Sequence, residues 1–367
     1  MGFLGKMKKN ISKGAKRLAL RWQIIKCERK YNGKPLDEAQ SGIREAILNR
    51  GDIYLQDENT ARRLADSWNG TVQAPPDLRF IKSAVPVVLC VNETFAPYLA
   101  IMLQSLLDNS NPQRKYHFVI FGRALSDKTR ECLASQAAGF PHCTVDFVDT
   151  ASMLDGIPVV AVKHVSVDAY ARLFIPYWLN KYEKVIYLDS DMIVRADIAE
   201  LYDLDIGPHS VGICVSDKAN LCIERRKYGY FMKRTAVFAL LENWSRYINS
   251  GVLVFDTKKF AKRFPCPDVF RFAIYFTNRY AKRANDQDVL ALLAKDEYFV
   301  LPPEWNYNWS TWADEGRYPP AGPEVKIVHF TGRLKPWKKN SLVNDNADAQ
   351  EYRKYASNIP LYRDSQK

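Results

Sequence analysis

No run of 18 consecutive apolar residues occurs anywhere in the 367-residue sequence, so no segment reads as a bilayer-spanning helix. The amino terminus carries charge but no uninterrupted apolar stretch, which argues against a secretory signal. The seven cysteines (Cys27, Cys90, Cys132, Cys143, Cys214, Cys222 and Cys266) include no C-x-x-C pair. Neither a disulfide framework nor a zinc site is indicated, and a reducing cytoplasm is the expected compartment. Only five histidines are present, too few to favour a two-metal hydrolase, and no glycine-rich phosphate loop appears. Internal repeats and low-complexity tracts are also missing.

Negative charge is scarce at one end. Residues 1–34 hold eleven Lys or Arg against the single Glu28, so ten of the twelve net positive charges of the chain lie there. The rest is nearly balanced, which disfavours a nucleic-acid footprint on the body. Within residues 3–25, Leu4, Met7, Ile11, Ala15, Leu18, Trp22 and Ile25 recur at three- and four-residue steps, with Lys6, Lys9, Lys13, Lys16, Arg17 and Arg21 off that stripe. This predicts a basic amphipathic helix, suited to an anionic membrane surface through residues 1–30. A helix packed on the body or in an oligomer, a disordered tail and a transit peptide are the alternatives. Oligomeric state is not legible.

Two further helical stretches, near 36–49 and 57–68, precede a linker at 71–76 carrying Pro75-Pro76, so residues 1–80 read as an N-terminal extension. From Val85 strands and helices alternate. Strands are expected at Val85–Val91, Tyr116–Phe121, Thr144–Val148, Val185–Leu188, Val211–Val215, Gly251–Phe255 and Val325–Phe330. Helices are expected at Pro97–Leu107, Ser126–Ala138 and Asp168–Leu179, then near 268–283 and 286–294. The alternation predicts an α/β fold, Rossmann-like, with a mostly parallel central sheet covered by helices on both faces. The domain is placed at 81–340, followed by a helical tail at 341–367.

The stretch Val185-Ile186-Tyr187-Leu188-Asp189-Ser190-Asp191 ends an apolar strand on two carboxylates one residue apart. At the carboxyl edge of an open α/β sheet, where ligands bind, Asp189 and Asp191 can face one hard cation. Spacing alone is weak, since Asp203-Leu204-Asp205 and Asp286-Gln287-Asp288 repeat it. Other polar clusters interrupt apolar runs: Tyr247-Ile248-Asn249-Ser250-Gly251, Asn285-Asp286-Gln287-Asp288, and Arg172 on the helix before the Asp189 strand. In His329-Phe330-Thr331-Gly332-Arg333-Leu334-Lys335-Pro336-Trp337, His329 could complete a metal site, Gly332 permits close backbone approach, and Lys335 could neutralise phosphate. Singly, Asn249 also reads as a turn residue, Asp286 as a helix cap and Lys335 as a solvated cation, and a lone histidine such as His329 is more often structural than a ligand.

Taken in order, these segments resemble glycosyltransferase family 8, retaining enzymes with a GT-A fold, and most nearly the bacterial lipopolysaccharide and capsule galactosyl- or glucosyltransferases. The resemblance covers about residues 85–340, through Val87–Leu107, His164–Leu173, Lys184–Arg195, Tyr247–Phe255, Asp286–Leu290 and His329–Trp337. It implies that Asp189, Asp191 and His329 coordinate Mn²⁺ (or Mg²⁺) bridging the diphosphate of a UDP-hexose. Gly332 and Lys335 would hold that diphosphate. Arg172, Ser190, Asn249, Ser250, Asp286 and Gln287 would surround the donor, with Asp286 and Gln287 nearest the chemistry and Asp217 on the acceptor side.

One departure stands at the first strand. The family usually places there an Asp for uracil, then an Asn and an aromatic residue, whereas this chain has Asn92-Glu93-Thr94-Phe95. Asn92 can still hydrogen-bond a pyrimidine edge, with Thr94 and Phe95 lining the pocket. The implied activity moves galactose or glucose to a hydroxyl of a glycan or lipid-linked acceptor in cell-surface polysaccharide or lipopolysaccharide synthesis, on the cytoplasmic face of the membrane. Front-face substitution is favoured over double displacement, because Gln287 is a poor nucleophile. The rival reading is a catalytically inactive relative that binds a nucleotide-sugar or glycan.

Overall fold

Val85, Val87, Leu89 and Val91 face one apolar cluster while Val88 faces another, so both sides of the first strand are covered and its sequence is an unbroken apolar run. The computed structural model describes residues 78–151, 167–216, 247–264, 285–294, 297–311, 317–332, 334–338 and 344–366. The expected amphipathic helix at 3–25, the stretches at 36–49 and 57–68, the helix near 268–283, and Asp217 lie outside them.

Seven strands form the main sheet in the order β3-β2-β1-β4-β7-β6-β8. They are β1 (Ala84–Asn92), β2 (Lys115–Arg123), β3 (Cys143–Asp149), β4 (Lys184–Leu188), β6 (Val211–Val215), β7 (Ile248–Asp256) and β8 (Phe299–Val300). Every ladder is parallel except the two made by β7, which runs against both β4 and β6. A second, three-stranded sheet joins β5 (Met192–Val194), β10 (Ile327–His329) and β9 (Tyr307–Asn308) in the order β5-β10-β9.

This topology positions the site. β4 delivers its carboxyl end to the same edge at which antiparallel β7 begins, with Leu188 opposite Val252 and the Asp189 N–H on Gly251 O at 2.9 Å. The β6–β7 ladder jumps from Ile213↔Leu253 to Cys214↔Asn249, so Ser250–Val252 bow away from β6 at that edge. β5 leaves Asp191 directly into the second sheet, where Met192 pairs with His329. The chain passes from one sheet to the other across Asp189-Ser190-Asp191.

Helix α1 (Ala96–Asp108) opens on Pro97 and packs on β1 and β5. α2 (Asp127–Ala137) is capped by the Ser126 side chain, which accepts from Thr129 N. The continuous helix expected over Asp168–Leu179 is instead a 3-10 segment, Val167–Leu173, followed by the short α3 (Ile175–Trp178). Pro176 has no N–H to give and its ring crowds the carbonyl four residues back, which breaks the helix there. The last expected strand, Val325–Phe330, shortens to Ile327–His329. The remaining helices are α4 (Ile198–Asp203), α5 (Thr257–Arg263), α6 (Asp286–Ala294), α7 (Ala347–Asn358) and α8 (Pro360–Ser365).

α7 and α8 lie against α1. Asn346 caps α7 through Asp348 N and Ala349 N, and buried Asp348 pairs with Arg195 at 2.7 Å. A ladder of rings runs from this tail to the site. Tyr98 of α1 stacks on Trp337 with centroids 4.1 Å apart, Trp337 meets Tyr352 at 5.5 Å, and Tyr352 meets Phe330 at 5.2 Å. These contacts fix the segment from Phe330 to Trp337, which carries Lys335.

The second sheet is tied to α1 by two side chains that capture the backbone N–H and C=O of one residue, Val194. Ser105 Oγ donates to Met102 O at 2.7 Å and accepts the Val194 N–H at 3.0 Å, while Asn109 Nδ2 donates to Val194 O at 3.1 Å. Ser105 and Val194 are both fully buried. Ser105→Ala strands the Val194 N–H away from water, which costs about 1–3 kcal/mol. Urea denaturation is expected to show that loss as a lower midpoint with an unchanged slope.

Candidate active site

Arg172 is the buried centre of the cluster. Its Nη2 meets Asp189 Oδ1 at 2.9 Å, its Nε meets Asp286 Oδ2 at 3.0 Å, and its Nη1 donates to Ser250 O at 2.8 Å and Ser250 Oγ at 3.0 Å. The guanidinium carbon lies 4.4 Å from the centroid of the Tyr187 ring, and the Tyr187 hydroxyl donates to Asp189 Oδ1 at 2.6 Å. Burial alone would lower the Arg172 pKa, but Asp189 and Asp286 raise it well above the ordinary value. Arg172 is a fixed cation.

The acids around it are held differently. Burial pushes the Asp286 carboxyl above its ordinary value, with Arg172 opposing the shift. Asp191 is also subject to desolvation, which would raise it, but Lys335 and His329 together hold it far below the usual carboxylate range. Lys335 Nζ donates to Asp191 Oδ2 at 2.5 Å and to Phe330 O at 2.6 Å. His329, 3% exposed, brings Nε2 to 3.2 Å from Asp191 Oδ1 and 3.6 Å from Asp189 Oδ2.

One ligand-type atom from each of Asp189, Asp191 and His329 lies within 4.8 Å of the other two. Two carboxylate oxygens and an imidazole nitrogen suit a hard or borderline divalent cation such as Mn²⁺ or Mg²⁺, and the cluster fits that use. Close approach is built into the backbone. A Cβ on Gly251 would lie 2.7 Å from His329 Nδ1 and 2.9 Å from Asp189 Oδ2, so only glycine leaves room for both side chains. Gly332 has φ +87°, and a Cβ there would sit 2.7 Å from Ser310 Cβ.

α6 contributes from its first turn. Asn285 is the cap, exchanging hydrogen bonds with Asp288: Asp288 N to Asn285 Oδ1 at 3.2 Å and Asn285 N to Asp288 Oδ2 at 2.9 Å. Asp286, read from sequence as a possible cap, is released to pair with Arg172. Gln287 Oε1 accepts from Ser250 N at 3.2 Å and its Nε2 donates to Tyr247 OH at 3.0 Å. With both ends of its amide engaged, Gln287 is a positioned polar surface rather than a nucleophile.

Arg172, Asp189, Ser190, Asp191, Asn249, Ser250, Asp286, Gln287, His329, Gly332 and Lys335 therefore meet at one sheet edge. Asn92 ends β1, the neighbour of β4, and lies at the same edge, with Oδ1 accepting Phe95 N at 3.1 Å to shape the turn into α1. Thr94 and Phe95 are exposed. Glu93 ties that turn to α2, accepting from Ser126 Oγ at 2.8 Å and Thr129 Oγ1 at 2.7 Å. Sequence reading missed Asn306, whose Oδ1 is 2.9 Å from His329 Nδ1, and Asn308, which accepts from Asn249 at 3.3 Å. Their signal was the alternation Trp305-Asn306-Tyr307-Asn308-Trp309, amides interleaved with rings beside a strand.

Residues 86–341 match the family profile described as Glycosyl transferase family 8, about 70% of the chain. The chain belongs to this family. General stress protein A of Bacillus subtilis is 26% identical over 266 residues, covering 70% of this chain and 88% of that protein. A lipopolysaccharide 1,3-galactosyltransferase of Salmonella typhimurium is 21% identical over 240 residues, covering 62% of this chain and 66% of that one. Among solved structures, the galactosyltransferase LgtC in complex with donor and acceptor sugar analogues superposes with a TM-score of 0.59 at 21% identity, covering 77% of this chain and 100% of that chain. The fold is GT-A, as the sequence resemblance implied, and the protein is a glycosyltransferase of family 8.

Arg172 is the only group holding both Asp189 and Asp286 among the described contacts. Replacing it with Met leaves the buried Asp286 carboxylate without its counter-charge, a change that costs about 3–5 kcal/mol. Its removal also lifts the Asp286 pKa further. A raised carboxyl contributes its stability below the unfolded pKa and loses it as pH rises through the folded value. The deficit of Arg172→Met relative to wild type should thus grow from acid to neutral pH, measured by urea denaturation across that range.

Proposed function

We propose that this family 8 glycosyltransferase is a Mn²⁺-dependent (or Mg²⁺-dependent) retaining enzyme that moves galactose or glucose from a UDP-sugar to a hydroxyl of a glycan or lipid-linked acceptor. Its place would be cell-surface polysaccharide or lipopolysaccharide synthesis. The observation that carries this reading is the convergence of Asp189, Asp191 and His329 beside the Arg172–Asp286 pair, at the carboxyl edge of a mostly parallel sheet. The Salmonella relative, described as a lipopolysaccharide galactosyltransferase, and LgtC, crystallised with donor and acceptor sugar analogues, support the substrate class. Catalysis is assigned to residues 81–340, with 1–80 an accessory extension and 341–367 a helical tail.

Each group has a task that its chemistry suits. Breaking a sugar–phosphate bond leaves an oxocarbenium-like sugar and a diphosphate that gains negative charge. When bound by Asp189, Asp191 and His329, the cation would supply Lewis-acid stabilisation of that diphosphate. Lys335 lies against Asp191 and can pass its ammonium to an incoming phosphate, with Gly332 allowing the backbone to come close. Asp286, Asn249, Ser250 and Gln287 offer carboxylate, amide and hydroxyl groups to sugar hydroxyls. Asn92, with Thr94 and Phe95, would meet the base, and Asp217 the acceptor. Because the Gln287 amide is engaged at both ends, we favour front-face substitution, the leaving phosphate taking the acceptor proton.

Incubation with a panel of UDP-sugars and Mn²⁺, reading UDP release, tests the donor. Turnover of UDP-galactose or UDP-glucose is expected, and no release from any UDP-sugar would refute the reading. Asp191→Ala removes one of three protein ligands and should remain folded by circular dichroism. Several kcal/mol of charge stabilisation at the cation corresponds to a fall of about 100-fold or more in turnover. Full turnover in excess EDTA would sink the cation assignment.

We further propose a cytoplasmic location, on the inner face of the membrane, held by residues 1–30. The supporting feature is the stripe Leu4, Met7, Ile11, Leu18, Trp22 and Ile25 beside a dense basic band. Among the described residues no helix is long and apolar enough to cross a membrane. Each basic residue near an anionic surface contributes about 1 kcal/mol, and the apolar stripe adds burial. Deleting 1–30 should abolish sedimentation with anionic liposomes while UDP-sugar hydrolysis persists in solution. Undiminished sedimentation would assign the stripe to packing instead.

A further inference from the structure

We propose that Asn306 is a positioning residue for His329: the Gly251 N–H, relayed through the Asn249 and Asn306 amides, keeps a proton on Nδ1, so that Nε2, facing Asp189 and Asp191, is the ring nitrogen left to offer a lone pair to a cation. The inference rests on the reading of His329 as a cation ligand and adds what sets that ligand's state.

The argument begins at a group that cannot reverse. A backbone N–H only donates, so the Gly251 N–H, 3.0 Å from the Asn249 side chain, must face its oxygen. Asn249 Nδ2 then points the other way and donates to Asn308 Oδ1 at 3.3 Å. The same Asn249 oxygen lies 3.0 Å from Asn306, which must present its NH₂ there. The Asn306 oxygen is left facing His329 Nδ1 at 2.9 Å, and because a carbonyl oxygen only accepts, Nδ1 must carry the proton. With Nδ1 committed to Asn306, Nε2, 3.2 Å from Asp191 and 3.6 Å from Asp189, is the nitrogen that can give up its proton and offer a lone pair to a cation.

The opposite arrangement fails at each step. Flipping Asn306 sets two oxygens against each other at 3.0 Å, and flipping Asn249 to repair this sets an NH₂ against the Gly251 N–H. Asn306 and Asn308 are buried, at 4% exposure each, so water cannot replace the lost partners cheaply. Gly251 acts twice: its N–H starts the relay, and its missing side chain leaves the space that His329 and Asp189 occupy. Histidine ligands are generally fixed by a hydrogen bond at the other ring nitrogen. Asn306 supplies it.

Long-range ¹H–¹⁵N correlation of the histidine rings, in cation-free full-length protein at a pH where His329 is neutral, reads the tautomer directly. The His329 signal is identified by its loss in His329→Gln. A proton on Nδ1 is expected, and a proton on Nε2 overturns the proposal. Titration with Mn²⁺ followed by electron paramagnetic resonance provides the second readout. Asn306→Leu, which offers no acceptor, should bind Mn²⁺ about 10–100-fold more weakly. Asn306→Asp keeps an acceptor toward Nδ1 but loses the donor to Asn249, and should retain the Nδ1 proton and more of the affinity than Asn306→Leu. Equal loss in both variants, or none in Asn306→Leu, would reduce Asn306 to packing and refute the proposal. If wild-type protein bound no Mn²⁺, the cation reading would fail, and the ring tautomer alone would still decide the inference.

Discussion

A buried guanidinium between the buried Asp286 carboxylate and the half-buried Asp189 carboxylate sets the conditions for everything else at this site. Asp286 is 3% exposed and Arg172 5% exposed, so neither charge has enough water to be stable alone. Together they form a pair that also reaches Asp189 and the Ser250 carbonyl. Four elements meet at this one side chain: the 3-10 segment that carries Arg172, the end of β4, the start of β7 and the first turn of α6. Any shift of one element opens the ion pair of another, so Arg172 acts as the registration point of the site. The helix break at Pro176 matters here, because the 3-10 winding of Val167–Leu173 carries Arg172 on a segment of its own beneath the sheet edge.

The antiparallel placement of β7 is the second constraint. In an all-parallel sheet the neighbour of β4 would bring its carboxyl end to this edge. With β7 reversed, its opening residues Asn249, Ser250 and Gly251 lie beside Asp189 instead. The ladder shift against β6 frees that stretch to curve toward the ligand cluster. His329 arrives from the other side on β10, paired to β5 directly after Asp191. Two sheets therefore share the three residues Asp189–Asp191, and the atoms of Asp189, Asp191 and His329 that could hold a cation lie at their junction.

What the sequence revealed follows from how local each signal is. Strands covered on both faces appear as unbroken apolar runs, and their positions in β1, β2, β4 and β6 were readable within one or two residues. Asp189 and Asp191 were legible because they end such a run. The chain-distant partners were legible as residue types, and through family resemblance, but not as contacts. Nothing local in Asp286 says that it will pair with Arg172 rather than cap its helix, since the choice is made by Asn285 and Asp288 taking the cap. Asn306 was passed over for the same reason. Its role depends on Gly251 and His329, 55 residues before it and 23 after it, and an amide between tryptophan and tyrosine looks like a turn until those partners are present. The helix over Asp168–Leu179 failed because apolar spacing outweighed a proline in its middle.

Charge accounting explains why the cluster suits a cation and an anion taken together. Leaving His329 aside, the three carboxylates of Asp189, Asp191 and Asp286 face two positive groups, Arg172 and Lys335. The set therefore carries one excess negative charge, enough to attract a divalent cation but weakened by the cations already present. Binding that cation would reverse the sign to a net positive charge, in a place only partly open to water. A diphosphate would then be drawn to the site after the metal or together with it, and its negative charge would compete with Asp191 for the Lys335 ammonium. Lys335 occupies that position in advance, 2.5 Å from Asp191, so it can transfer to phosphate with little reorganisation. On this view the lysine serves one anion before the donor binds and another afterwards, which keeps Asp191 ionised for its place among the ligands.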